Sequence, residues 1–549
     1  MRLSTAMLAL CAAGASCAAA QGSSWVGWNT AAPSRYILLG RGKYNGTLHA
    51  MDIPGGKYNA SQPPMVADLH GSSYEQGYDF GYLTGVGAQH NLDALFAKIL
   101  GTGPLSGLAK DALNVFMDWQ WKDYLSKAVE VQAPWLMEEI QGFADGAAAV
   151  GVSDGGLLLS RATVLANFPG TLTDLIYVLA DEFGIPVSAT ARHVAAPGHA
   201  AAAAAVRAAV VRALNAHPVS QRMAAVLPAP HAADPAAWLL GLAWPTMQCS
   251  MMAFWGGRTQ GGRLFSGRNL DWLSNSGVNA NKLVTVWRPP GMLPHATVGF
   301  AGLQGALTGT SAAGLTVHEA NLEEKQETFR GFPWMLRLRW VMAHAENLAE
   351  AKALWGASNN TVGFNHMVAS AKDVNAWVME TEARYTAYFG ADDPREANAM
   401  YNTKAGPVHA GFPLPEAVWR TNHGYDPKIR GDFLWSQGPN TDSQHRYDII
   451  HDQITAYAAA GTPIGPLQAI NFTSLPGDKG DDFYYCGDTH KGSNVLSVTF
   501  DPSLGQMYAA WEAYAGAAWR PAACSTYVQL NMTAWFNGRG PSSAGSVAL

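Results

Sequence analysis

The sequence predicts an α+β layered domain with two antiparallel sheets in its middle, and three observations point there. From Cys249 onward, short β-like runs alternate with Gly, Pro or Asn turns. Two helical patterns then interrupt them over 331–356. Strand-like runs resume after that, at "FNHMVAS", "AWVMETEA" and "YTAYFG". Strands, then helices, then strands is the order of stacked sheets rather than of alternating βα units.

The 549 residues allow several domains, or one large domain with insertions. Apolar residues at 48% against 14% charged support a large buried core. The net charge of −6, with no Lys/Arg block, argues against a nucleic-acid partner and against charge-driven binding to anionic membranes. At the N-terminus, Arg2 precedes an Ala-rich apolar stretch that ends Ala18-Ala19-Ala20. Residues 1–20 therefore read as a secretory signal peptide. No later run reaches the roughly 18 uninterrupted apolar residues of a membrane span, so no transmembrane segment is expected.

Next along the chain, residues 25–65 are rich in Gly, Pro, Asn and Tyr and are expected to be irregular. Helical spacing dominates from about Ser73 to Gly151. An Ala/Pro-rich stretch over about 169–245 reads as an insertion holding one helix, "AAAAAVRAAVVRALNAH", and no chemistry. This divides the chain into a pro-segment, 21–248, and a catalytic part, 249–549.

Five Asn-x-Ser/Thr sequons start at Asn45, Asn59, Asn359, Asn471 and Asn531. With the signal peptide they point to a glycoprotein of the secretory pathway, extracellular or lysosomal/vacuolar. Cys11 and Cys17 would leave with the signal, so Cys249, Cys486 and Cys524 remain. The simplest pairing is Cys486 with Cys524, which leaves Cys249 as a free thiol.

Common catalytic signatures are missing. There is no Gly-x-Ser-x-Gly, no His-Glu-x-x-His, no phosphate or dinucleotide loop, and no recognised metal-ligand spacing. No cofactor or metal is expected. What stands out is Cys249 at the head of an apolar run, with Arg268 and Asp271 about one hairpin downstream. If the run from Cys249 pairs with the run ending at Arg268 through a Gly261-Gly262 turn, both charged residues lie beside the cysteine. Arg268 would then stabilise a thiolate. Asp271 would hold a nearby cation, and cleavage of the Gln248–Cys249 bond would make that cation the α-amino group of Cys249. Such an amine titrates near 8 and can serve as the nucleophile's own base.

These residues, Cys249-Ser250 and Gly267-Arg268-Asn269-Leu270-Asp271-Trp272, resemble the start of the mature chain in cysteine-type N-terminal-nucleophile hydrolases. The similarity is greatest to the acyl-coenzyme A:6-aminopenicillanate acyltransferase-like group, related to acid ceramidase and choloylglycine hydrolases. Further stretches resemble the same group: "LHGSSYEQGYDFG", "EEIQGFADG", "SAAGLTVHEANL", "RTNHGYD", "DSQHRYD" and "NVLSVTFDPSLGQMYAAW".

The resemblance implies a four-layer αββα sandwich preceded by a mainly helical pro-segment. It implies autocleavage at Gln248–Cys249 into two chains that stay associated, followed by attack of Cys249 on an N-acyl amide. Asn321 and Asn422 are implied as oxyanion donors, and Arg446 as a further site residue with Arg430 as the competing position. Trp255, Met251, Met252 and Trp334 would suit an apolar acyl tail, and the partner would be a small-molecule N-acyl substrate. Other readings stay open: His423 as the base of a Cys–His dyad, a phospholipase B-like ester hydrolase, or a non-catalytic lipid-binding glycoprotein. His318 and Glu319 are taken as strand-face residues.

Overall fold

The β-like runs after Cys249 show little polar alternation because nearly every residue in them is covered on both sides. Leu315–Asn321 and Phe364–Ser370, for instance, are buried along their whole length. The structure is a computed structural model. It describes residues 30–56, 58–59, 61–101, 106–152, 172–187, 199–242, 248–272, 274–403, 406–433, 442–474, 493–515 and 518–540. The expected signal peptide and Cys486 lie outside the described residues.

Four strands come first: β1 (Thr30–Ala31), β2 (Arg35–Arg41), β3 (Thr47–Asp52) and β4 (Met65–Asp68). Helices follow: α1 (Ser73–Leu100), α2 (Ser106–Gln120), α3 (Pro134–Ala149), α4 (Leu172–Glu182), α5 (His199–Ala216) and α6 (Pro218–Ala224). After them come β5 (Gln248–Gly256), β6 (Gly262–Asp271), β7 (Lys282–Trp287), β8 (His295–Phe300), β9 (Thr308–Ser311) and β10 (Leu315–Asn321). Then come α7 (Trp334–His344), α8 (Leu348–Gly356), β11 (Phe364–Ser370), β12 (Asn375–Glu382), β13 (Tyr385–Phe389) and β14 (Ala417–Arg420). Helices α9 (Asp442–Ala459) and α10 (Pro466–Phe472) lead into β15 (Asn494–Asp501), β16 (Gln506–Trp511) and β17 (Tyr527–Asn531).

A ten-stranded sheet has the order β13-β12-β11-β10-β9-β8-β7-β4-β3-β2, and a seven-stranded sheet the order β1-β17-β16-β15-β6-β5-β14. Pairing is antiparallel except between β4 and β7 and between β1 and β17. The sheets meet face to face where β10 crosses β5 and β6. There Ser266 Oγ lies 2.7 Å from Thr316 Oγ1 and 3.0 Å from His318 Nε2. Helices α7 and α8 cover the other face of the large sheet, and α9 and α10 that of the small one. The result is the αββα layering, with one large core and a small separate cluster of Ile470, Tyr508, Ala510 and Tyr527. Among the described residues no helix is long and apolar enough to cross a membrane.

The pro-segment departs from the reading of residues 25–65 as irregular. Its Gly and Asn residues sit at turns, such as Asn45 (φ 71°) and Gly55 (φ 64°), while the intervening residues form β1 to β4. Tertiary pairing with β7 and β17 orders stretches whose local composition favours turns. Helix α1 starts at a Ser72/Glu75 capping box and packs along α3. Here glycine is required by close approach: a Cβ on Gly81 would stand 2.1 Å from the Phe143 carbonyl oxygen, and one on Gly146 2.0 Å from that of Tyr78. In the Ala/Pro-rich stretch the expected helix is present as α5. It packs on α4 and α6, and α6 packs on α2.

Candidate active site

The site begins with the β5–β6 hairpin. The expected turn is there, with Gly261 and Gly262 at φ 70° and 69°, a left-handed backbone that favours glycine. Register then pairs Cys249 with Leu270, Met251 with Arg268 and Gln248 with Asp271. Directly paired residues of an antiparallel ladder project from the same face, as do residues two apart. Cys249, Arg268 and Leu270 therefore share one face. Arg268 Nη2 reaches to 3.0 Å from Cys249 Sγ.

Arg268 is anchored from the second sheet. Its Nε donates to the Glu319 carbonyl oxygen at 3.1 Å, and Nη2 also pairs with the Glu319 carboxylate. Glu319, read from sequence as a strand-face residue, is thus part of the site. Nothing local marks it, because the contact joins residues 51 positions apart on different sheets.

The end of β10, one loop and one helix complete the cluster. Asn422, just after β14, accepts from the Cys249 backbone N–H at 2.8 Å. Its Nδ2 donates to the Asn321 carbonyl oxygen at 2.8 Å and to Asn321 Oδ1 at 2.6 Å. From α9, Arg446 donates to the Cys249 carbonyl oxygen, to Ser250 Oγ at 3.0 Å and to Asn422 Oδ1 at 2.8 Å. Asp442, one helical turn earlier, holds the Arg446 guanidinium at 3.0 Å. Of the two competing arginines, then, Arg446 meets the cysteine; Arg430 is turned to the carbonyls of Tyr425 and Met400. His423 spends its nitrogens on Ser443 Oγ (2.7 Å) and Tyr425 Oη (2.8 Å) and makes no hydrogen bond to the thiol.

Burial dominates the electrostatics. It pushes the Cys249 thiol up to about 12, with Glu319 adding to the rise and Arg268 and Arg446 opposing it. The Asp271 carboxyl is pushed up to about 7 by burial, against Arg446 and Asn494. Glu319 is likewise pushed up to about 7 by burial, against Arg268. Burial lowers His318 and His423 to about 3, so both are neutral imidazoles.

Several buried polar atoms here lack a hydrogen-bond partner of good geometry: Arg268 Nη1, Glu319 Oε2 and both Asp271 carboxylate oxygens. Unspent donors and acceptors at one buried point are characteristic of a functional centre. Among the described residues no group of three His, Cys, Asp or Glu could hold a metal ion.

An apolar cavity is lined by Leu270, the register partner of Cys249, together with Trp272, Leu303, Trp334 and, from α1, Leu92 and Leu95. Of the four residues expected to suit an acyl tail, Trp334 lines this cavity. Met251, Met252 and Trp255 are buried in the core instead.

The family described as acyl-coenzyme A:6-aminopenicillanic acid acyl-transferase matches residues 258–513. That span starts beyond Cys249 and includes Arg268, Asp271, Asn321, Asn422 and Arg446. No curated protein matches the sequence. Similar solved structures include an N-acylethanolamine-hydrolyzing acid amidase ortholog from Caenorhabditis elegans, at 14% identity over 47% of this chain and 94% of that chain, TM-score 0.32. A mutant conjugated bile acid hydrolase from Clostridium perfringens is similar at 13% identity over 52% and 92%, TM-score 0.33. Penicillin V acylase from Agrobacterium tumefaciens is similar at 10% identity over 48% and 83%, TM-score 0.24.

Proposed function

We propose that this chain, whose residues 258–513 match the acyl-coenzyme A:6-aminopenicillanic acid acyl-transferase family, is a self-processing cysteine amidohydrolase or acyltransferase. It acts on the C–N amide bond of N-acyl substrates. The observation that carries the reading is the Cys249 thiol 3.0 Å from Arg268, with the Cys249 backbone N–H held by Asn422.

Processing comes first. The Cys249 sulfur attacks the Gln248 carbonyl carbon; the S–C bond forms, the C–N bond breaks, and the thiol proton ends on the departing nitrogen. Water then hydrolyses the thioester. This restores the thiol and leaves a Gln248 carboxylate and a free α-amine on Cys249. The Asp271 carboxylate, whose oxygens receive no well-formed hydrogen bond, holds the new ammonium.

Catalysis repeats the chemistry on a substrate. The α-amine takes the thiol proton, the thiolate attacks the amide carbonyl, and the ammonium protonates the leaving amine. Asn321 donates to the oxyanion, such a donor being worth about 3–4 kcal/mol in a dry site, while Asn422, expected as a second donor, spends its Nδ2 on Asn321 and orients it. The cavity beside Leu270 and Trp334 receives the apolar acyl chain.

The reading places the chain in the secretory pathway. Exposed sequon residues at Asn45, Asn59 and Asn359 support that placement, as does the disulfide-bonded state of Cys524.

N-terminal sequencing and intact mass after acidic and neutral incubation test the proposal, with Cys249→Ala as control. The expected result is a new chain beginning Cys-Ser-Met-Met that the control lacks. An intact wild-type chain at both pH values, from folded material, overturns it in favour of a lipid-binding glycoprotein.

A further inference from the structure

One donor atom at the centre of the site serves two acids. Arg268 Nη2 contacts Cys249 Sγ at 3.0 Å and pairs with the Glu319 carboxylate, and all three side chains are fully buried. A buried guanidinium stays charged and calls for one negative partner. A second negative charge beside the first is disfavoured, so Glu319 and Cys249 compete for the same cation.

Around these three groups, Arg446 of α9 bonds the Cys249 carbonyl oxygen and its own Asp442, and its charge favours the thiolate without contacting the sulfur. On β5 the only titratable side chain is Cys249; β6 adds Asp271 near Arg268. His366 of β11 stands opposite Glu319 in register, and His318 is its neighbour on β10; burial holds both neutral. On α7, which packs over β10, Arg337 is committed to Asn360 and the Ser358 carbonyl, and Arg339 to Glu139. His344, at the end of α7, bonds the Trp340 carbonyl.

We propose that Glu319 is a positioning residue that gates the nucleophile: ionised, it occupies Arg268 and keeps the Cys249 thiol protonated; protonated, it yields Arg268 to the thiolate. The two states hold one proton between them, on sulfur in the first and on the carboxylate in the second, so the net charge of the trio is unchanged. The catalytic consequence rests on the nucleophile proposed above.

Among the described residues Cys249 is the free cysteine and Cys524 is disulfide-bonded, so iodoacetamide, small enough to enter by local opening of the buried site, reports this thiol. Rates followed by intact mass from about pH 5 to about pH 9 test the gate. For two coupled sites the wild-type rate rises, flattens above about pH 7 and then rises again. Glu319→Gln, which cannot ionise, loses the flat stretch and reacts about tenfold faster or more at about pH 8, one unit or more in thiol pKa. Glu319→Asp, which still titrates, keeps the flat stretch.

A Glu319→Gln profile that superimposes on wild type overturns the proposal. If Glu319→Gln does not fold, the wild-type curve decides: an unbroken rise of about tenfold per pH unit overturns it, and a flat stretch shared with Glu319→Asp supports it. The two proposals separate cleanly. An uncleaved chain with the flat stretch removes the amidase reading alone, and a cleaved chain with an unbroken rise removes the gate alone.

Discussion

Asn422 holds the site together through four hydrogen bonds. Its oxygen accepts from the Cys249 N–H and from Arg446, and its nitrogen donates twice to Asn321. A side chain with both ends spent orients the bond to be broken and keeps the two amides in contact. Asn422→Ala removes the acceptor of the Cys249 N–H and the donor that orients Asn321, and so frees the strand start. It should slow self-cleavage about 10²- to 10³-fold, measured as the time course of the Cys-Ser-Met-Met chain. Cleavage at the wild-type rate would assign Asn422 to packing. The meeting of Cys249 with Arg268 was legible in the sequence because a hairpin with a glycine turn brings its two strands together; Asp271 pairs with Gln248 instead. The Glu319–Arg268 pair was not, because a strand's sequence does not say which residue of an opposing sheet it will meet.

The α1–α3 pair is built on small residues. Gly77 and Gly81 on α1 face the backbone of α3, and Gly142 and Gly146 on α3 face that of α1, at distances no Cβ could occupy. Gly81→Ala must push the helices apart, and overpacking of this kind typically costs about 1–3 kcal/mol. Gly107→Ala makes the matched control: Gly107 lies in α2 with nothing near its Cβ position. There alanine should be neutral or stabilising, by up to about 1 kcal/mol. Thermal unfolding of the two variants checks the contrast, and equal melting temperatures would show that α1 and α3 can separate without cost. The helical pattern of both segments was readable from sequence, but their closeness was not.

Across the whole molecule, the stretch before Cys249 is woven into both sheets. It supplies β2, β3 and β4 to the large sheet and β1 to the small one, and α1 walls the cavity. A buried bidentate pair, Glu139 of α3 with Arg339 of α7 at 2.5 and 2.6 Å, adds a charged tie across the proposed cleavage point. Breaking such a pair from one side costs about 3–5 kcal/mol. After self-cleavage the two chains should therefore co-elute on size exclusion in native buffer and separate only in denaturant. Release of the smaller chain under native conditions would contradict this architecture.

What the sequence determined by itself was what short-range chemistry can specify: the layered α+β order, the β5–β6 hairpin, the Ala-rich helix, and the cysteine with Arg268 and Asp271 one turn away. Glycine turns and apolar spacing act over a few residues, so they survive in the linear text. Tertiary structure alone decided the rest. It made strands of residues that read as loop, chose Arg446 over Arg430, left His423 facing Ser443 and Tyr425, and set Glu319 against the guanidinium beside the thiol. Each of these depends on which buried groups two distant elements bring together. Burial then sets their charge, through a desolvation cost that no local pattern encodes.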